Sequence, residues 1–286
     1  MSEIKSQWNA SQQEYRTEKF WGGDHFDLAM EAHHPGYLSF GYWRRESDGN
    51  PISDNIEACE NLYLALGNRV GLGAESVVLD VACSMLQESI YLHRTFGSTI
   101  TGLDCVNKHI EVGRIRVANA NLEQHITPVY GSGENIPLAS GSYTHVFCVE
   151  GTPYMDRSKF FKESHRVLNA SGRIAIGECM VRPSSGFLFE KLAAFVADAW
   201  QIRRENIGMS EQQYRFLLSD AGFRDIQIEY IGKYVYTPFF INDFKELGRM
   251  IKVRGWHAIA KVFHNLLCDL SFRLGWLEYA FVTAQK

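Results

Sequence analysis

Four acidic residues point most directly to chemistry in this sequence. Three of them lie in or just after short apolar runs, and the fourth lies in a loop. Asp80 interrupts the apolar run Val77–Val81, Asp104 ends a second run, and Glu150 follows a later one. Glu134 lies in a glycine-containing loop between the last two. The carboxyl ends of parallel strands meet at one edge of a sheet, where open α/β folds bind ligands. We therefore expect these carboxylates to surround one binding site.

The chemistry expected of this edge is the binding of a ribose and an anionic group. An acid that ends the second strand can accept hydrogen bonds from both hydroxyls of a ribose. Small residues, Ala-Cys-Ser, follow the first strand and lead into a helix, whose amino end favours a carboxylate. A second interpretation of Asp104 is that it caps the helix beginning at Asn107.

Short apolar runs alternate along the chain with segments of helical periodicity. This alternation is typical of a parallel sheet covered by helices, which would position the acids. The predicted strands cover residues 77–81, 99–104, 143–150, 173–177, 225–230 and 278–286, and a further strand with its loop covers 126–137. Glu178 follows the fifth strand and Tyr154 the fourth, so both are expected to share the ligand edge. The roughly forty residues before the last strand are too long for a hairpin turn, and we interpret them as a helical cap.

The order of these motifs resembles that of the Rossmann-like S-adenosylmethionine-dependent methyltransferases. The resemblance rests on Val-Leu-Asp80-Val-Ala-Cys, Gly-Leu-Asp104, Glu134-Asn-Ile-Pro and Glu150-Gly. The segment Leu-Ser-Phe-Gly-Tyr-Trp before the first helix resembles the entry segment of the small-molecule, tocopherol and sterol methyltransferase-like branch. The match runs from about Trp21 to the end of the chain.

This resemblance implies an α/β fold with a seven-stranded, mostly parallel sheet flanked by helices. It also implies one methyltransferase domain, divided into an N-terminal helical lid (1–50), a cofactor-binding core (51–230), a helical cap (231–277) and the last strand (278–286). The implied cofactor is S-adenosylmethionine. The implied cofactor-binding residues are Asp80, Ala82, Ser84, Asp104, Cys105, Gly133, Glu134 and Glu150.

Three residues are candidates for catalysis: Glu150, His34 and Tyr154. Glu150 can act as a general base toward the methyl acceptor, because an apolar pocket raises the affinity of a carboxylate for protons. It can equally be a structural acid that binds a backbone amide or the methionine ammonium. His34 belongs to a histidine-rich and aromatic stretch that either walls an apolar substrate or is ordinary packing.

The family loop Gly-x-Gly-x-Gly reads Ala82, Ser84 and Leu86 in this chain. Close approach of the backbone to a cofactor is expected to survive if the backbone dihedrals of the two small residues stay negative. Leu86 adds a branched side chain where the helix packs on the strand, and Ser132 replaces an acid of the third loop. The altered loop leaves a second function open, that of a cyclase, an isomerase or a ligand-binding protein that no longer transfers methyl.

Composition narrows the class of partner. With 29 basic and 33 acidic residues the net charge is −4, which disfavours nucleic acid as a partner. No signal peptide and no apolar run long enough to span a membrane is apparent, so a cytosolic location is expected. The six cysteines lack metal-ligand spacing, and no metal is expected. We expect a small-molecule methyl acceptor as partner, bulky and partly hydrophobic, and a homodimer is possible.

A basic stripe occurs in the predicted cap. It consists of Lys245, Arg249 and Lys252. The stripe either meets an anionic acceptor or membrane surface or is a solvated helix face.

Overall fold

A computed structural model describes residues 17–19, 22–23, 37–182, 202–254 and 256–286. Its strands are β1 Val77–Val81, β2 Thr99–Asp104, β3 Ile126–Tyr130, β4 Tyr143–Val149, β5 Leu168–Val181, β6 Arg224–Tyr230 and β7 Leu277–Gln285. The helices that concern the site are α1 Asn55–Val70, α2 Gln87–Phe96, α3 Asn107–Asn119, α4 Arg157–Val167, α5 Glu211–Asp220, α6 Tyr236–Arg254 and α7 Trp256–Arg273.

The seven strands form one sheet in the order β3-β2-β1-β4-β5-β7-β6. Strands β1 to β5 pair in parallel, and β7 runs antiparallel to both of its neighbours. The order reverses between β1 and β4, which is where the carboxyl ends of parallel strands leave a crevice. This architecture confirms the predicted Rossmann-like, mostly parallel sheet.

The strand β1 shows why a largely apolar run predicts a buried strand. Its neighbouring residues Val78 and Leu79 are both fully buried, but they belong to different core clusters. One cluster lies under α1, α2 and α3, and the other contains residues of α4 and α5. Because successive side chains of a strand point to opposite faces, a strand covered on both sides favours apolar residues at neighbouring positions, and the buried Asp80 is bonded by the Ser89 hydroxyl.

Local signals begin and end the helices as the sequence predicts. The Asp54 carboxylate accepts a hydrogen bond of 2.8 Å from the Glu57 amide at the start of α1. Gly71 ends that helix with φ of 70°, a left-handed conformation that glycine adopts at little cost. Ser210 and Gln213 form a reciprocal capping box at the start of α5.

The predicted cap region is a pair of antiparallel helices, α6 and α7. A buried hydrogen bond of 2.6 Å joins the Asn265 amide to Asp243 Oδ2, and the Thr237 hydroxyl bonds Asp269. The helical prediction is confirmed, while the role of the pair as a cap over substrate stays a prediction. The division of the chain into lid, core, cap and last strand also stays a prediction.

Two predictions concern residues that lie outside the described ranges. One is a helix, which the apolar pattern of residues 186–200 predicts, and the other is the part of the lid that contains His34. Strand β5 continues to Val181, so Glu178 lies within the strand and not after it. It is fully buried and bonds Arg157 and Tyr214, so the expectation that it shares the ligand edge is wrong.

Candidate active site

The loop that joins β1 to α2 keeps a glycine-like backbone without glycines. Ala82, Ser84 and Leu86 have φ of 59°, 49° and 62°. The condition that Ala82 and Ser84 keep negative dihedrals is therefore not met. A left-handed conformation costs a non-glycine residue about 1–2 kcal/mol. The surrounding contacts must hold all three residues in this conformation.

Leu86 is accommodated by glycines that belong to two other elements. A Cβ atom placed on Gly102 of β2 would lie 2.1 Å from Leu86 Cδ2. One placed on Gly113 of α3 would lie 2.6 Å from Leu86 Cδ1. The two glycines of β2 and α3 therefore leave space for the Leu86 side chain, which replaces the third glycine of the family loop. Leu86 is fully buried there.

Asp104, at the carboxyl end of β2, is held by two backbone amides. Its Oδ2 accepts a hydrogen bond of 2.9 Å from Ser84 N, and its Oδ1 accepts one of 2.8 Å from Val106 N. Helix α3 has Val106 as its N-cap residue and no side-chain cap hydrogen bond, so the alternative that Asp104 caps this helix is wrong. The carboxylate instead ties the loop after β1 to the loop after β2, where Cys105 is partly exposed.

Two buried acids lie behind the loop. Burial, and the charge of Asp104, raise the pKa of Asp80 to about 7, although the Ser89 hydroxyl donates to its Oδ2 at 2.6 Å. Burial, and the charge of Asp80, raise the pKa of Glu88 to about 8, although nearby Arg116 favours the charged form. Glu88 Oε2 has no hydrogen-bond partner among the described residues. Glu88 is a residue that the sequence analysis missed.

Glu150 ends β4 in a left-handed conformation, with φ of 55°. Its Oε1 accepts hydrogen bonds of 3.0 Å from both the Phe40 amide and the Tyr279 hydroxyl. Burial raises its pKa to about 7. Tyr154, in the turn that follows, has a pKa raised by burial and by the neighbouring Cys179 and Glu150. The structure therefore brings two of the three catalytic candidates together.

The entry segment links the two buried glutamates. The backbone amide of Leu38 interacts with the Glu88 carboxyl, and the amide of Phe40 donates to Glu150. Between them the buried hydroxyl of Ser39 has no partner among the described residues. The amide of Tyr42 bonds Ala58 O at 2.8 Å, which fixes this segment on α1. The segment therefore closes the carboxyl edge between Glu88 and Glu150.

Glu134, predicted to lie near the bound ligand, is engaged by other residues. Its Oε1 accepts hydrogen bonds of 3.0 Å from Arg203 Nη1 and from the Asp156 amide. Ser132 is buried and accepts from the Glu134 amide. A Cβ atom on Gly133 would lie 2.9 Å from Val81 Cγ1, so this loop packs directly against the end of β1.

The cysteines behave as packing residues. All six are free thiols, and among the described residues no group of three potential ligands could hold a metal ion. Burial raises the pKa of the Cys83 and Cys148 thiols, which keeps both groups neutral. Neutral, buried thiols pack as small apolar side chains.

Comparisons with known proteins place this geometry in a family. A model described as a methyltransferase domain matches residues 78–172, from β1 into β5. The ubiquinone/menaquinone biosynthesis C-methyltransferase UbiE of Geobacter sp. strain M21 is 33% identical over 183 residues, which are 56% of this chain and 75% of that protein. The chain belongs to the S-adenosylmethionine-dependent methyltransferase family.

Two further likenesses are to a curated relative and to the fold of a solved structure. The methyltransferase GfsG of Streptomyces halstedii is 31% identical over 164 residues, 56% of this chain, and the match spans 58% of GfsG. The fold matches the crystal structure of the [4+2]-cyclase SpnF with a TM-score of 0.73 over 97% of both chains, at 19% identity. The family uses S-adenosylmethionine as its cofactor. None of the described helices of this methyltransferase is long and apolar enough to cross a membrane.

The residues at the carboxyl edge of this methyltransferase fit the cofactor. Ser84 Oγ and Glu88 Oε2 are buried polar atoms without a partner among the described residues. Such atoms cost free energy unless a ligand or water satisfies them. The cofactor carries a positive ammonium and sulfonium, and the carboxyl group of Glu88 behind the loop suits positive charge. Only the tertiary structure reveals Glu88, because its position inside a helix carries no motif.

Proposed function

We propose that this chain transfers the methyl group of S-adenosylmethionine to a small, bulky and partly hydrophobic metabolite. The observation that carries the proposal is Asp104, whose carboxylate is oriented by two amides at the end of β2 beside the rewritten loop. A carboxylate there is well suited to accept both ribose hydroxyls. The bound cofactor supplies an activated methyl group on its sulfonium.

The proposed cofactor-binding residues form two groups, one for each end of the cofactor. Asp104, Cys105 and Gly133 take the nucleoside end, with Asp104 on the ribose. Ala82 and Ser84 offer backbone and hydroxyl groups to the amino-acid end. Asp80 and the buried Glu88 provide negative charge for the ammonium. Glu134 acts indirectly, by fixing its loop through Arg203.

We assign Glu150 the role of proton acceptor for the methyl acceptor. Its Oε1 is occupied by two donors, which orients the carboxyl group and leaves Oε2 with no hydrogen bond from the described residues. A carboxyl whose pKa is about 7 is half ionised near neutral pH, which suits a general base. Tyr154, beside it, is proposed to position the acceptor.

Aromatic rings around Glu150 support a partly hydrophobic acceptor. Phe40 lies edge-on to Tyr236 and Phe239, with ring centroids 5.7 and 5.0 Å apart. Tyr236 in turn packs against Tyr279, whose hydroxyl bonds Glu150. Aromatic walls of this kind exclude water and bind apolar ligands. Alignment in a dry site provides most of the acceleration that methyl transfer needs from the protein.

The first test is binding of S-adenosylmethionine by calorimetry to the wild type, Asp104→Ala and the control Asp48→Ala, which removes an exposed acid. We expect affinity to fall by about 100-fold in Asp104→Ala, since hydrogen bonds to a charged group are lost. The control should bind as the wild type does. The second test is release of S-adenosylhomocysteine with apolar phenols or quinols as acceptors. Absence of binding to the wild type would refute the proposal.

A second candidate function is a cyclization that keeps the cofactor without consuming it. It is favoured by the fold likeness to SpnF and by the raised pKa of Asp80, Glu88 and Glu150, since a neutral carboxyl can polarise a substrate carbonyl. The two functions differ in stoichiometry. Methyl transfer releases one S-adenosylhomocysteine per product, whereas a cyclization releases none.

A further inference from the structure

The outer face of the hairpin formed by α6 and α7 is apolar. On α7 the side chains of Ile259, Phe263, Leu266 and Leu270 are 41%, 59%, 39% and 48% exposed. Their spacing of four, three and four residues aligns them in one stripe along the helix. On α6, Ile241, Phe244 and Ile251 are 45%, 61% and 41% exposed. We call these seven residues the outer apolar face.

Both stripes lie on the same side of the hairpin. The buried seam between the helices contains Asp243, Met250, Ala258, Val262 and Asn265. Each of five face residues follows one seam residue directly in sequence: Phe244, Ile251, Ile259, Phe263 and Leu266. In two antiparallel helices, a step of one residue from the seam turns toward the same side. The stripes therefore form a continuous surface.

The opposite side of the hairpin already has a partner. Tyr236 of α6 packs on Tyr279 of β7 with ring centroids 6.3 Å apart, and Cys268 and Phe272 of α7 belong to the partly buried residues packed against the core. The outer apolar face is thus not needed to attach the hairpin to the sheet. Soluble proteins seldom expose a contiguous apolar surface of this kind without a binding role.

A basic rim borders this surface. Lys245 and Lys252 are exposed and follow Phe244 and Ile251 directly in sequence, so they lie one step further round α6. The acids of these helices lie elsewhere. Asp243 and Asp269 are buried, and Glu246, three residues after Asp243, turns to the opposite side of the seam from Phe244. Lysines beside an apolar helix face are the pattern that binds anionic lipid surfaces.

We propose that the hairpin docks on an anionic lipid surface, with the outer apolar face in the interfacial region and the lysine rim on the headgroups. A second copy of the chain is a poorer occupant, because the same face would offer the lysines no acidic partners. This inference does not depend on methyl transfer. A lipid-docked hairpin would bring the site into contact with apolar metabolites dissolved in the bilayer.

The test is co-sedimentation of the full chain with phosphatidylcholine vesicles that contain phosphatidylglycerol, and with pure phosphatidylcholine vesicles. We expect binding to the anionic vesicles. Phe263→Ser should weaken it by roughly tenfold, from the apolar area lost. Lys245→Gln/Lys252→Gln should weaken it by roughly tenfold, with a smaller dependence on salt.

The matched control is Phe216→Ser, which removes a ring on α5 that is 66% exposed but lies outside the hairpin. It should bind vesicles as the wild type does. Thermal melting checks that all variants remain folded, as expected for exposed positions. The proposal is overturned if the wild type ignores anionic vesicles or if Phe263→Ser binds them equally well. It is also overturned if light scattering shows a dimer that Phe263→Ser dissociates, since a second copy then occupies the face.

Discussion

The protein buries acids on both sides of its sheet, and the two groups are partnered in opposite ways. On the side of α4 and α5, Glu178 bonds Arg157 and accepts a hydrogen bond of 2.5 Å from the Tyr214 hydroxyl. On the side of α2, Asp80 and Glu88 have raised pKa values, and Glu88 Oε2 has no hydrogen-bond partner among the described residues. We interpret the first group as structural and the second as a receptor for positive charge.

We expect the largest effect from breaking the buried ion pair of Arg157 and Glu178. Arg157→Met leaves the fully buried Glu178 without its cation and should lower the free energy of unfolding by about 3–5 kcal/mol. Urea denaturation measures the loss. The control is Arg45→Met, whose pair with Glu57 is exposed to solvent and should contribute far less to the free energy of unfolding. Equal losses in the two variants would contradict a special role for the buried pair.

Glu150→Gln should change how stability depends on pH. The folded-state pKa of about 7 lies above the ordinary 4.5, so the folded protein keeps a proton that the unfolded chain releases. The contribution of Glu150 to the free energy of unfolding is full below pH 4.5. It declines by on the order of 3 kcal/mol as pH rises to about 7. The variant should lack this part of the decline in melts across this range. An unchanged profile would show that Glu150 does not keep its proton.

Glu88→Gln tests whether the buried acids on the side of α2 bind the positive charge of the cofactor. Loss of the acid should weaken binding of S-adenosylmethionine by about tenfold, equivalent to about 1.4 kcal/mol. It should also stabilise the ligand-free protein at pH above about 8, because a buried charge is removed. Calorimetry and urea denaturation measure the two effects, with Glu75→Gln as an exposed control. Unchanged affinity would mean that Glu88 is structural.

The smallest effect concerns the rewritten loop. Ser84→Gly should raise the free energy of unfolding by about 1 kcal/mol, since the φ of 49° no longer strains the residue. It should also weaken cofactor binding a few-fold if the unpaired hydroxyl contacts the ligand. Ala82→Gly, with the same backbone strain but no hydroxyl, is the control that separates these effects. A destabilised Ser84→Gly would show that the backbone carries no strain there.

Local patterns predicted the frame of the site well. The strand ends that carry Asp80, Asp104 and Glu150 were recognised because an acid beside an apolar run is a local signal. Glu88 and the pairing of Glu178 with Arg157 were missed, since each depends on contacts between elements distant in sequence. The backbone of Ala82 and Ser84 could not be predicted from residue type, which favours negative φ, because the packed loop imposes the opposite.

The sequence by itself determined the order of strands and helices and the family resemblance, because periodicity, caps and the acids at strand ends are local properties. Only the tertiary structure decided which buried acids find partners and which do not. It also showed that Gly102 and Gly113 open the space for Leu86. The physical reason is that desolvation, charge pairing and packing depend on neighbours brought together by the fold, and the linear chain does not specify their distances.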